Sequence, residues 1–381
     1  MANGVGASTL RLGLIINALS LGVADLFVSE LYGELSSKYV RENIVICPAS
    51  LRMGLILLYI GAEGEAAAEL KNTLYLHGDT KTQILEDHKK QISITNADIT
   101  MQISQKLYVD HKFKIDPHYI STGWKYLSGP AVEPAHFENP ESAAKHICNQ
   151  IERHMLNKFK ETVASSEISS HTKIFLASAF YFSGKWQKPF MKLGTRKFYN
   201  VMTGLHMSVT MYGKTDEVLH GDLPELNAKG VEIPYKNSNI SMLIILPEEN
   251  DNNLRHMEQV LRTVDFRTLN NNFRRGNVHI EMPRFRIEYE MDFNEVLKAI
   301  GLSSLFSNPD LSSLSRQMGL RLSNTKQKGV IEVNTNNDNG RSTIDDNPYN
   351  PPKKFIVDRQ FIFIVKDPYM VYFVGHVIRP Q

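Results

Sequence analysis

Helical spacing dominates the first part of the chain. Leu26, Phe27, Leu31, Tyr32 and Leu35 recur at that spacing and predict a first amphipathic helix. Asn43 to Ile46 reads as a short strand running into Cys47-Pro48-Ala49-Ser50. Leu51 to Ala62 is apolar almost all round, which predicts a buried helix. Glu63, Gly64 and Glu65 break it, and Ala66 to Leu74 resumes the helical pattern. Met101 to Val109 alternates as a strand. Glu141 to Val163 predicts one long amphipathic helix, with Ile147, Ile151, Met155 and Phe159 at a spacing of four. Ile174 to Phe182 is a continuous apolar run, the pattern of a strand buried on both faces.

Strands dominate from there. Gly230 to Tyr235 and Ser241 to Leu246 flank a short polar turn and predict a hairpin. Asn277 to Ile287 reads as one strand containing Met282-Pro283, and Phe293 to Ile300 as a helix. Gly329 to Asn334, Phe361 to Val365 and Tyr372 to Val377 complete the strands. Helices first and sheets later, without βαβ alternation, predict an α+β fold in a single domain. Between the strands ending at Asn334 and starting at Phe361 lies TNNDNGRSTIDDNPYNPP, residues 335–352. A long polar segment without helix or strand pattern inside a compact domain is usually functional.

A formal net charge of +2 gives no reason to expect nucleic acid or an anionic membrane as partner. Cys47 and Cys148 both lie in apolar stretches and read as free thiols rather than a disulfide. Within Leu10 to Ala24, Arg11 precedes a moderately apolar run that ends Gly22-Val23-Ala24, so residues 1–24 read as a cleaved signal peptide. A buried helix of the fold is the alternative. The two readings separate an extracellular protein from a cytoplasmic one. No other segment reaches the ~18 apolar residues of a membrane span. Asn239-Ile240-Ser241 is an acceptable glycosylation sequon. The chain has no G-x-S-x-G elbow, H-E-x-x-H or C-x-x-C, and its 13 histidines show no close metal-ligand pairing. Neither an enzyme nor a metal or cofactor site is therefore expected.

Several segments together resemble the serpin family. They are Asn43 to Leu51, Ala177 to Trp186 with Phe190, Leu243 to Pro247, Met282 to Phe285, Gly301-Leu302 with Leu305-Phe306, Gly329 to Asn334, and Phe373 to Val377. The resemblance implies one domain, residues 25–381, of three β-sheets and about nine helices. It also makes residues 335–352 an exposed reactive-centre loop. In an inhibitory member a serine protease of chymotrypsin-like fold cuts this loop and forms an acyl-enzyme. The freed loop then inserts as a new central strand and carries the protease away.

Such insertion needs alternate side chains that tolerate burial. The family's hinge reads acidic-acidic-glycine, then Thr or Ser, then alanines. The matching stretch here is Thr335-Asn336-Asn337-Asp338-Asn339-Gly340-Arg341-Ser342. One alternation would bury Asp338, Gly340, Ser342, Ile344, Asp346 and Pro348, the other Asn339, Arg341, Thr343, Asp345 and Asn347. Neither is apolar. Counting from the downstream strand puts the scissile bond near Tyr349-Asn350, whereas counting from the hinge reaches Pro351. Arg341 is a trypsin-like site with too short a hinge before it.

The family's polar cluster under the opening sheet, two serines, an asparagine and a histidine, falls here on Cys47, Ser50, Ser178 and Gln327. Gln150 stands where the covering helix usually carries Trp. Arg284 keeps the cation at the top of the sheet, while Thr335 replaces its acidic partner. These departures predict a non-inhibitory member that is a protease substrate or binds an unknown ligand; with the N-terminal segment, the expectation is a secreted protein, taken as a monomer. A working protease inhibitor, with chymotrypsin-like specificity through Tyr349, is the alternative.

Overall fold

The computed structural model describes residues 26–78, 80–91, 98–127, 132–155, 158, 160, 162–200, 203–248, 257, 259–334 and 351–380. The proposed signal segment 1–24 and loop residues 335–350, with Thr335 to Ser342, Tyr349 and Asn350, lie outside the described residues.

The first helix, α1 (Phe27–Lys38), buries Phe27, Leu31, Tyr32 and Leu35, as its spacing predicts. Strand β1 (Ile44–Ile46) leads into α2 (Pro48–Gly61), buried along its whole length. Pro48 occupies its first turn, where a missing N–H costs nothing. Helices α3 (Gly64–Thr73) and α4 (Lys81–Gln91) precede the strand β2 (Ile99–Asp110). Next come α5 (Pro117–Leu127), β3 (Val132–Ala135), α6 (Pro140–His154) and β4 (Ile174–Gly184). They are followed by β5 (Met191–Asn200), β6 (Leu205–Leu223), β7 (Ala228–Pro234) and β8 (Ser241–Pro247). The chain then runs through β9 (Arg274–Pro283), β10 (Phe285–Asp292), α7 (Asn294–Ala299) and β11 (Leu322–Val333). It ends in β12 (Lys353–Ile356), β13 (Phe361–Lys366) and β14 (Val371–Val377).

Among the described residues, hydrogen bonding joins these strands into two sheets. A five-stranded sheet has the order β10-β11-β4-β2-β3. A nine-stranded sheet has the order β1-β14-β13-β8-β7-β6-β9-β12, with β5 also on β6. The 19-residue β6 makes the second sheet continuous, because its first half pairs with β5 and its last residues with β7. The two sheets face each other through a core containing Phe180, Phe182, Ile331, Phe363 and Phe373, all fully buried.

Two sequence expectations need correction. The helix predicted over Glu141 to Val163 stops at His154. Cys148 and Val163 contact each other, the Cys148 Sγ lying 3.3 Å from both the Val163 N and O. An unbroken helix would hold them about 22 Å apart at 1.5 Å per residue, so the chain turns back after Met155. The strand predicted over Asn277 to Ile287 is two strands, β9 and β10, in different sheets. Pro283 supplies no ladder donor and the chain bends at exposed Arg284.

Candidate functional site

Parallel pairing of β4 with β11 runs from Leu322↔Ile174 to Glu332↔Ser183 and closes the centre of the five-stranded sheet. Side chains alternate across this seam. Toward the core point Phe180, Phe182, Ile331 and Val333, with Ser178 and Gln327 below them. Toward α6 point Ala177, Ala179, Tyr181 and Val330, interspersed with Lys326, Lys328 and Glu332. The strands approach closely: a Cβ added at Gly329 would meet the Phe180 ring at 2.2 Å. Only glycine fits that position without displacing the buried Phe180 ring.

The polar positions expected beneath the seam form one connected network. The Gln327 side chain accepts from the Cys47 N–H at 2.7 Å. Its amide donates to the Cys47 carbonyl and to the Ser178 hydroxyl, both at 3.0 Å. Ser178 and Ser50 hydroxyls lie 2.6 Å apart. Gln327 thus ties β11 to β4 and to the start of α2. The Cys47 thiol makes the apolar part of the cluster, and burial pushes it up to about 12, so it stays protonated. Both cysteines are free, Cys47 buried and Cys148 half-buried.

On the outer face, β11 is held by the connection between α6 and β4. Lys326 pairs with Glu167, and Asn324 Nδ2 donates to the Glu167 carbonyl at 3.1 Å. The Lys328 Nζ donates to the Lys160 carbonyl at 3.0 Å. Lys326 and Lys328 also reach Glu290 on β10, at 2.6 and 3.1 Å. Gln150, on α6, donates weakly to Glu133 at 3.4 Å.

At the top of the seam the Trp186 indole donates to the Asn334 carbonyl at 2.8 Å, at the last described residue before the loop. Trp186 stacks on Tyr235 with centroids 4.4 Å apart, and the buried Lys214 Nζ lies 4.9 Å from the centre of the Phe190 ring. Burial lowers the Lys214 pKa, against the pull of Asp216. The sequence marked Trp186 only at the end of a segment carrying the family resemblance; its hydrogen bond spans 148 residues and leaves no local signal. Exposed Arg284 lies over the Tyr212 ring at 5.9 Å. Beyond the loop, β12 pairs in parallel with β9, from Lys353↔Val278. The loop therefore connects the five-stranded sheet to the nine-stranded one. Asn239 is exposed on the turn between β7 and β8.

Histidines that show no close pairing along the chain do meet in the fold. His111 and His136 lie with ring centroids 4.0 Å apart, beside Glu138. They are 25 positions apart in the chain, and only strand pairing brings them together.

A family model described as Serpin (serine protease inhibitor) matches residues 24–380, and the chain belongs to this family of protease inhibitors. Leukocyte elastase inhibitor A of Rattus norvegicus is 28% identical over 93% of this chain and 98% of its own length. Neuroserpin of Gallus gallus is 27% identical over 94% and 91%. The fold is also that of human thyroxine-binding globulin complexed with its ligand, at a TM-score of 0.81 and 21% identity, covering 94% of this chain and 97% of that one. Among the described residues no helix is long and apolar enough to cross a membrane.

Proposed function

We propose that this serpin is non-inhibitory: it meets proteases as a substrate, or serves as a binding or carrier protein, without the loop insertion that inhibition requires. The observation that carries the reading is the inner face of the β4–β11 seam set beside the loop sequence. An inserted strand would stand between Phe180 and Phe182 on one side and Ile331 and Val333 on the other, all buried. One alternation turns Asp338 and Asp346 into that layer, the other Arg341 and Asp345. Burying an unpaired charge there costs several kcal/mol even after relaxation. Asn, Asp and Gly are poor strand formers, and Pro348 removes a ladder donor. The proposed signal segment and the exposed Asn239 sequon support a secreted, glycosylated protein, which N-terminal sequencing and glycosidase treatment of secreted material would test.

The second reading is a working inhibitor with Tyr349 near the scissile bond. It is favoured by the likeness to an elastase inhibitor and by the completeness of the Gln327 network. Incubation with trypsin, chymotrypsin and elastase, followed by a denaturing gel, separates the two. Cleaved monomer with active protease remaining is expected. A complex that survives SDS would overturn the non-inhibitory reading.

A further inference from the structure

Parallel pairing of β2 with β3 sets Asp110 opposite Ala135, so the next residue of each strand, His111 and His136, emerges on the same edge. The His111 N–H donates to the Ala135 carbonyl at 2.9 Å, which fixes this register through the strand ends. Two residues further on, the turn into α6 brings Glu138 under both rings. The His136 Nδ1 lies 3.2 Å from Glu138 Oε1, and the His111 Nδ1 lies 3.5 Å from Glu138 Oε2. One donor atom from each of the three side chains lies within 4.8 Å of the other two. Asp110, buried behind them, places its Oδ1 3.4 Å from the same His111 nitrogen. Asp110 also accepts from the Lys112 N–H and pairs with Lys173, so it is held in position.

Ligand atoms about 2.0–2.2 Å from a tetrahedral zinc ion lie about 3.4 Å from one another. The two nitrogen-to-carboxylate distances already bracket that value. Two imidazoles and one carboxylate are a borderline donor set that favours zinc and the late first-row metals over calcium or magnesium, which take oxygen. Three protein ligands on an exposed edge leave a fourth position open to water.

We propose that His111, His136 and Glu138 form a surface binding site for a divalent transition-metal ion of the zinc class, with Asp110 as the acidic group behind it. The ion joins the ends of β2 and β3 to the turn capped by Asn139, whose side chain accepts from the Ser142 N–H at the start of α6. Because the three ligands come together only in the folded sheet, the ion stabilises it by mass action. An ordinary exposed His–Glu pair, by contrast, has no metal dependence.

The test is titration of the intact protein with zinc chloride against a chromophoric chelator, and with cobalt(II) for its visible spectrum. One site per chain with a dissociation constant at or below about 10 µM is expected, with cobalt bands of low coordination number. At a hundredfold excess over that constant the melting temperature should rise by about 3 °C. His111→Asn and His136→Asn should each weaken binding at least tenfold. Both variants should keep the metal-free melting temperature, since the side chains are exposed. Glu138→Gln should weaken binding as well, while His118→Asn, at an exposed histidine outside the group, should leave it unchanged. Stoichiometric binding that survives in a variant carrying both His111→Asn and His136→Asn, or no binding up to about 100 µM zinc, ten times the expected constant, overturns the proposal.

Discussion

His376, on β14, is fully enclosed, and its two ring nitrogens have different partners. Nε2 lies 2.8 Å from the Glu42 carbonyl and must donate, so Nδ1, 3.0 Å from the Tyr32 hydroxyl, accepts. Burial lowers its pKa from 6.5 to about 4, against the raising effect of the Glu42 carbonyl. Between those values the unfolded chain binds a proton that the folded one excludes. The contribution to stability is therefore fully present above about pH 6.5, declines as pH falls and is exhausted near pH 4; it amounts to roughly 3 kcal/mol. His376→Phe loses this dependence. The gap between wild-type and variant urea midpoints should narrow as pH falls from about 7 to about 4.5, and a constant gap would show that the ring is not the titrating group. Gln327 is a second such residue. Gln327→Leu leaves the buried Cys47 N–H without its acceptor, while the Cys47 carbonyl keeps the Leu51 N–H and Ser178 keeps Ser50. About 1–3 kcal/mol of lost stability is expected, measured by urea unfolding. A loss below about 1 kcal/mol would mean that water replaces the amide.

Among the elements, β11 is the strand on which the site turns. Its inner face is apolar above Gln327, and its outer face is fastened by Lys326 and Lys328 to Glu290 and to the segment that links α6 to β4. The contacts to that linking segment cross the seam, so separating β11 from β4 requires breaking them as well as the ladder, whereas the Glu290 pairs join β11 to its other neighbour, β10. Glu167→Ala removes the Lys326 pair but leaves that lysine with Glu290. The expected result is amide exchange in β11 and the facing part of β4 at least tenfold faster, with little change in the rest of the sheet. Uniform exchange across all five strands would refute a local clamp. Much of this element is legible in the sequence, because Gly329 to Asn334 is largely apolar and β-branched. Its first half is not: Ser323 to Lys328 is polar and charged, and becomes strand only because Gln327 and the lysines find partners 100 or more residues away. The same limit explains α6 and β9–β10. Periodicity continues past His154 and across Pro283, whereas the turn closed by the Cys148–Val163 contact and the change of sheet at Arg284 are tertiary facts.

Across the whole molecule, the fold is readable because apolar segments in a fixed order carry it, whereas the site depends on what meets across sheets. The Gln327 network, the Trp186 bond to Asn334 and the His111–His136 pair join positions distant in the chain, and no spacing rule reaches them. The loop is the opposite case, since its chemistry is written in its residues and its partner surface is now defined. The inner face of the seam is apolar above Gln327 and Ser178, but the outer face already carries Lys326, Lys328 and Glu332. Polar residues are thus tolerable on one side of an inserted strand and not on the other. Asp338→Ala, Asp346→Ala and Pro348→Ala together clear the inner face of charge and proline, leaving three alanines beside Gly340, Ser342 and Ile344. Asn339, Arg341, Thr343, Asp345 and Asn347 then take the outer face. The wild type cut in its loop should melt within a few degrees of the intact protein. The triple variant, cut in the same way, should melt more than about 10 °C higher, because a new central strand adds buried apolar area and a second ladder. A wild type that gains as much would show that insertion occurs despite the charges. A variant that gains nothing would place the barrier in the clamps on β11 rather than in Asp338, Asp346 and Pro348.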